Sequence, residues 1–185
     1  MYLSSLIGGI PATALREITL LRQLKHENVV NIKDIVNTTG RLYIVFELAH
    51  LDLKKLMDEY PGPLEPELVR SYTCQILKGL AYCHSHGVMH RDLKPQNLVV
   101  WRNGCIKLAD FGLARTFSPT LRPLTIEVIT RWYRAPEIML GCDQYTAAVD
   151  VWSVACVIAE MSNRFPFLPG DSDIGQLHRI YELLG

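Results

Sequence analysis

The chain has 185 residues, the size of one domain, and its apolar fraction of 49% is ample for a core. A formal net charge of zero gives no electrostatic case for nucleic acid or an anionic membrane surface. No apolar run reaches the ~18 residues of a membrane span. Residues 1–10 lack the positively charged start of a secretion signal. The five cysteines, an odd number without a C-x-x-C pair, fit reduced thiols in a cytosolic or nuclear compartment.

Near the N-terminus, Pro11 suits the first turn of a helix, with Leu15, Ile18 and Leu21 as its apolar stripe. Residues 32–36 and 42–46 flank Thr38-Thr39-Gly40 and read as the two strands of a hairpin. Over 65–86, Val69, Tyr72, Ile76, Leu80 and Cys83 recur at spacings of three and four, one face of a helix that Gly87 ends. Leu98-Val99-Val100 predicts a strand, Asn103-Gly104 a tight turn, and 105–109 the returning strand. A hairpin folds its ends together, so Asn97 and Asp110 are expected side by side. Residues 146–161 are apolar nearly all round, the pattern of a buried helix, and Asp150 within it is costly unless hydrogen-bonded. Residues 173–184 repeat the helical spacing with Ile174, Leu177, Ile180 and Leu184.

The chemistry concentrates in His90-Arg91-Asp92-Leu93-Lys94-Pro95-Gln96-Asn97, followed by Asp110-Phe111-Gly112 and Ala135-Pro136-Glu137. Each residue type answers a need of phosphoryl transfer. Asp92 can accept the proton of an attacking hydroxyl, Lys94 can neutralise charge on the transferring group, and Asn97 and Asp110 supply hard oxygen ligands for Mg²⁺. His84, His86 and His90 resemble a ligand cluster, but His90 already belongs to this motif and no carboxylate or thiol completes a zinc site.

These motifs, in this order, resemble the eukaryotic protein kinases. Lys94 and Pro95 resemble the serine/threonine branch. Pro11, Ala12, Thr13, Ala14, Leu15, Arg16 and Glu17 are similar to the helix by which cyclin-dependent kinases grip a cyclin. Residues 132–137 and Pro169-Gly170-Asp171-Ser172 resemble the same group. Mitogen-activated kinases place a tyrosine two residues after their activating threonine, whereas Thr125 is followed by Ile126 and Glu127.

The resemblance implies a bilobal α+β fold that transfers the ATP γ-phosphoryl group, with Mg²⁺, to protein serine or threonine. It further implies a cyclin partner, substrates with Ser/Thr-Pro sites, an activating kinase for Thr125, and a cell-cycle or transcription role in cytoplasm and nucleus. Phe46 is either a gate to the adenine pocket or simply one apolar residue of a strand. The backbone of Glu47 and Ala49 would meet the adenine edge, with Asp52 on the ribose, Val99 beneath the base, and Gln96 also at the nucleotide. Thr130 would lie against Asp92 and Lys94, and Val128, Ile129 and Arg134 would shape the pocket for the substrate proline. Arg16, Arg91 and Arg115 would gather the Thr125 phosphate, and Asp150 would hold the catalytic-loop backbone.

Against that pattern the sequence reads as a middle segment. Gly8-Gly9 is no glycine-rich loop, residues 1–15 contain no lysine to pair with Glu17, and 185 precedes the late helices that would pair Glu137 with an arginine. The expectation is an incomplete kinase domain, about 10–48 a remnant of the first lobe and 49–185 most of the second, with weak ATP binding. The alternatives are a catalytically dead cyclin-binding fragment and an incomplete gene model.

Overall fold

The structure is a computed structural model describing residues 22–38, 41–111, 114–116, 131–142 and 144–185. The first expected strands pair as an antiparallel ribbon, β1 (Ile32–Thr38) with β2 (Arg41–Phe46), setting Ile35 opposite Ile44. Its turn, at Thr39 and Gly40, lies outside the described residues.

Then come β3 (Leu51–Asp52) and a short helix, α1 (Leu53–Glu59), which the sequence reading did not anticipate. Seven residues are too few for a periodicity, but the start signal is present: Asp52 caps the helix by accepting the Lys55 N–H at 2.9 Å. Leu53 and Met57 then turn into the core. α2 (Pro66–Ser85) follows, with proline in its first turn and Val69, Tyr72, Ile76, Leu80 and Cys83 buried as their spacing requires. Gly87 ends it with φ of 72°. Glycine at 79, ordinarily unfavourable inside a helix, is needed for packing: a Cβ there would lie 2.6 Å from the Asn28 carbonyl oxygen.

β4 (Val88–Met89) leads into the loop that carries the chemistry, which closes in a 3₁₀ turn at Pro95–Asn97. β5 (Leu98–Val100) and β6 (Ile106–Leu108) form the expected hairpin, with β3 on the far side of β5. The Asn103-Gly104 turn differs from a two-residue one. The Gly104 N–H donates to the Trp101 carbonyl at 3.0 Å and the Trp101 N–H to the Cys105 carbonyl at 2.8 Å. Only Gly104 takes a positive φ, 78°, so this is a three-residue loop with a single left-handed position. β7 (Arg115–Thr116) pairs with β4.

A 3₁₀ turn at Arg131–Tyr133, then α3 (Pro136–Met139), α4 (Ala148–Asn163) and α5 (Asp173–Leu184), complete the order. α5 has the expected bounds; α4 starts two residues later than its apolar pattern and ends on Arg164 at φ 69°. One apolar core joins the pieces: α2 packs on α4 and β6 through Ile76, Leu80, Leu98, Leu108, Val157 and Met161. Each such side chain contributes roughly 1.5–3 kcal/mol, so the backbone around the intervening loop is firmly held. The architecture is α+β, a small sheet-rich region followed by a largely helical one.

Candidate active site

Two strands that belong to the hydrophobic core, β4 and β5, deliver both ends of the segment 90–97. Between them Arg91 takes the left-handed region, φ 67°, and beyond β6 Asp110 does the same at 58°. Neither is glycine, so each conformation costs of order 1–3 kcal/mol unless its surroundings hold it.

What holds Arg91 is Asp150. Its carboxylate, fully buried on α4, accepts the His90 N–H at 2.9 Å and the Arg91 N–H at 2.7 Å. His84 Nε2 on α2 approaches the same carboxylate at 2.8 Å. Burial alone would push the Asp150 carboxyl up; the His84 hydrogen bond and the two backbone donors outweigh it and hold the group below the ordinary range. In the sequence no carboxylate or thiol completed a site with the histidine cluster. Asp150 arrives from a helix distant in sequence, and among the described residues no group of three could hold a metal.

His90 is itself fully buried, and burial holds its pKa below the usual value. The neutral ring fits its partners: Nε2 donates to the Ala109 carbonyl at 2.9 Å, while Nδ1 faces the Asp92 N–H at 3.4 Å. It packs against Phe111 at 4.7 Å between centroids. The histidine thus ties the Asp92 loop to the strand leading to Asp110.

Asp92 is fixed from the other side. Its Oδ2 receives Lys94 Nζ at 2.8 Å and Asn97 Nδ2 at 2.9 Å, and Asn97 Nδ2 also reaches the Asp92 carbonyl at 2.8 Å. The hairpin brings Asp110 alongside, as expected, since the Ala109 N–H donates to the Asn97 carbonyl at 2.9 Å. With its amide nitrogen spent on Asp92, Asn97 presents its Oδ1, and Asp110 is a carboxylate. An all-oxygen pair suits a hard divalent cation such as Mg²⁺.

The other expected residues fall unevenly. Phe46 ends β2, half-buried. The Glu47 N–H is committed to the Asn31 carbonyl at 3.2 Å, which leaves the Glu47 carbonyl for an adenine edge. The Glu47 side chain binds Lys107 Nζ at 2.7 Å and the Asn31 N–H at 2.9 Å. Burial opposes ionisation there, but these donors prevail and lower its pKa. Ala49 is half-buried; Asp52 and Val99 are brought opposite each other by the β3–β5 register, while Gln96 is exposed. Arg91 Nη1 donates to the Tyr145 hydroxyl at 2.9 Å, a partner the sequence did not suggest. Arg134 is half-buried beside the 131–133 turn. Pro11 through Glu17 with Arg16, Thr125, Val128, Ile129, Thr130 and the side chain of Arg115 lie outside the described residues.

Sequence reasoning also missed Tyr133, Ser153 and Glu160. The Tyr133 hydroxyl donates to Glu160 Oε2 at 2.5 Å, and Ser153 Oγ donates to the Tyr133 carbonyl at 2.7 Å. Asp150, Ser153 and Glu160 all belong to α4, so one helix indexes both the catalytic loop and the 131–133 turn. The signal was polar residues at helical spacing inside an apolar pattern. Burial raises the Glu160 carboxyl, against the Tyr133 hydrogen bond and Lys54 at 4.0 Å.

Unfolded, Glu160 titrates near its ordinary 4.5, whereas the folded chain keeps the proton to higher pH. Stability is therefore lost as pH rises through that window. Glu160→Gln has no such proton to lose. Its Tm relative to the parent is expected to improve progressively as pH rises above 4.5. A Tm difference flat across that range would mean that the carboxyl is ionised throughout.

The set brings together a carboxylate, an adjacent cation and two oxygen-bearing side chains on a hairpin, groups whose chemistry suits phosphotransfer. A family model, the protein kinase domain, matches residues 6–183. The chain belongs to the protein kinase family, whose domains in general use ATP and Mg²⁺.

Proposed function

We propose that the chain is a cyclin-dependent serine/threonine kinase that phosphorylates Ser/Thr-Pro sites, with a cell-cycle or transcription role in cytoplasm and nucleus. The observation that carries the acceptor class is Lys94 Nζ at 2.8 Å from Asp92 Oδ2. That cation lies beside the group that meets the hydroxyl, as the serine/threonine branch requires. The likeness of residues 11–17, 132–137 and 169–172 to the cyclin-dependent group supports the rest.

ATP with Mg²⁺ supplies the transferable phosphoryl group. The chain's residues do the remainder. Oδ2 of Asp92 is occupied by Lys94 and Asn97, so Oδ1 would accept the hydroxyl proton as the substrate oxygen bonds to the γ-phosphorus and the bond to the β,γ-bridging oxygen breaks, releasing ADP. Lys94, still donating to Asp92, balances charge on the transferring group. Asn97 and Asp110 would hold the cation.

Thr125 is the proposed activating phosphorylation site, with Arg16, Arg91 and Arg115 receiving about −1.5 to −2 charges and up to three charge-assisted hydrogen bonds. The test is a panel of cyclins assayed with paired Ser-Pro and Ser-Ala peptides. Activity should appear with one cyclin, favour Ser-Pro, and be largely lost in Thr125→Ala. Cyclin-independent activity, or full activity in the alanine variant, would refute the reading.

A further inference from the structure

The 131–133 turn is gripped from two sides that differ in kind. Tyr133 is bound to α4 through buried partners, Glu160 and Ser153. Arg131 and Trp132 are bound instead by the segment that precedes α5. Arg131 Nε donates to Asp173 Oδ1 at 2.8 Å and its Nη1 to the Asp171 carbonyl at 3.0 Å. Trp132 Nε1 donates to the Gly170 carbonyl at 2.9 Å.

That segment is itself stiff. The Gly170 N–H donates to Gln176 Oε1 at 2.9 Å, and Ser172 caps α5 by accepting the Gly175 N–H at 2.9 Å. A Cβ at residue 170 would lie 2.5 Å from Gln176 Cα, and one at residue 175 would collide with Asp171 Oδ1. Glycine at 170 is therefore required for the chain to fold back so closely, whereas the clash at 175 is with side-chain ends that can turn aside. The guanidinium is planar and meets a carboxylate and a carbonyl together, which fixes orientation as well as distance. Its side chain is 34% exposed and that of Asp173 49%, so this grip is adjustable where the Tyr133 anchor is not.

We propose that Arg131, aimed by Asp173 and the Asp171 carbonyl, is a positioning residue for the substrate-binding turn at 131–134. The claim rests on the functional reading above, in which Arg134 with Val128 and Ile129 forms the pocket for the proline of the substrate. Arg131 touches neither nucleotide nor reacting hydroxyl. It holds the turn from which Arg134 projects, since the Arg134 N–H donates to the Arg131 carbonyl at 3.0 Å. Loosening it should weaken peptide binding and spare the chemical step.

The experiment uses the protein with its best cyclin, a Ser-Pro peptide and the variant Asp173→Asn, which keeps an acceptor but removes the charge. KM for the peptide should rise ~2- to 5-fold, the range a half-exposed ion pair allows, with kcat unchanged. Amide hydrogen exchange over 131–134 should quicken by a similar factor. Arg131→Gln should raise KM comparably, and the double variant no more than either single one. Additive effects, an unchanged KM, or a fall in kcat alone would overturn the proposal, as would unchanged exchange. If the parent instead ignores the Ser-Pro peptide, the functional reading fails and the substrate role of Arg131 with it. The exchange comparison still decides whether Asp173 secures the turn.

Discussion

Asp92→Asn is expected to lower kcat for phosphoryl transfer by about 10²–10⁴-fold, the usual contribution of a positioned general base, while ATP affinity stays nearly constant. The asparagine is isosteric, so the Lys94 and Asn97 contacts at 2.8 and 2.9 Å retain one oxygen to bind. What disappears is the capacity to take the hydroxyl proton. Asp110→Asn provides the contrast: a weaker oxygen ligand should reduce Mg²⁺-dependent nucleotide binding as well as turnover. Nucleotide titration and single-turnover assays on both variants separate the two roles. If they respond alike in both measurements, Asp92 and Asp110 do not divide the work in this way.

Sequence and structure agree most closely where the backbone decides the geometry. The hairpin between Asn97 and Asp110 needed only two apolar runs and a glycine. α5 was legible to the residue because Ser172 caps it and its apolar stripe is continuous. The short α1 was not, since its stability comes from the Asp52 cap and from Leu53 and Met57 meeting a distant core. The polar partners were hidden for a different reason. His84 and Asp150, Tyr133 and Glu160, Arg131 and Asp173, and Glu47 and Lys107 are each brought together by tertiary packing. Local pattern reveals that a buried Asp150 must have partners, and burial penalties make that inference firm. It cannot say which helix supplies them.

Asp150→Ala should be the most damaging single change for the fold. Removing the carboxylate takes the acceptor from the buried His90 N–H and from the partly buried Arg91 N–H and His84 ring. An unsatisfied buried group costs about 1–3 kcal/mol, and several together rival the ~5–15 kcal/mol stability of a whole domain. Asp150→Asn is the informative variant. It keeps one acceptor oxygen but turns an N–H pair toward donors, so one of the backbone contacts must break. Urea unfolding near neutral pH should show a loss of about 2–3 kcal/mol. Turnover should fall too, because Arg91 loses what holds it at φ 67° and Asp92 follows it in sequence. The acid limb gives an independent reading. The folded Asp150 carboxyl titrates below its ordinary 3.8, so its contribution is fully present above that value and disappears as pH falls through the lowered one. The parent should therefore lose stability below about pH 4 more steeply than Asp150→Asn, which has no proton to gain at this position. Parallel acid limbs, or an asparagine variant as stable as the parent, would show that the catalytic loop is held by something other than this carboxylate.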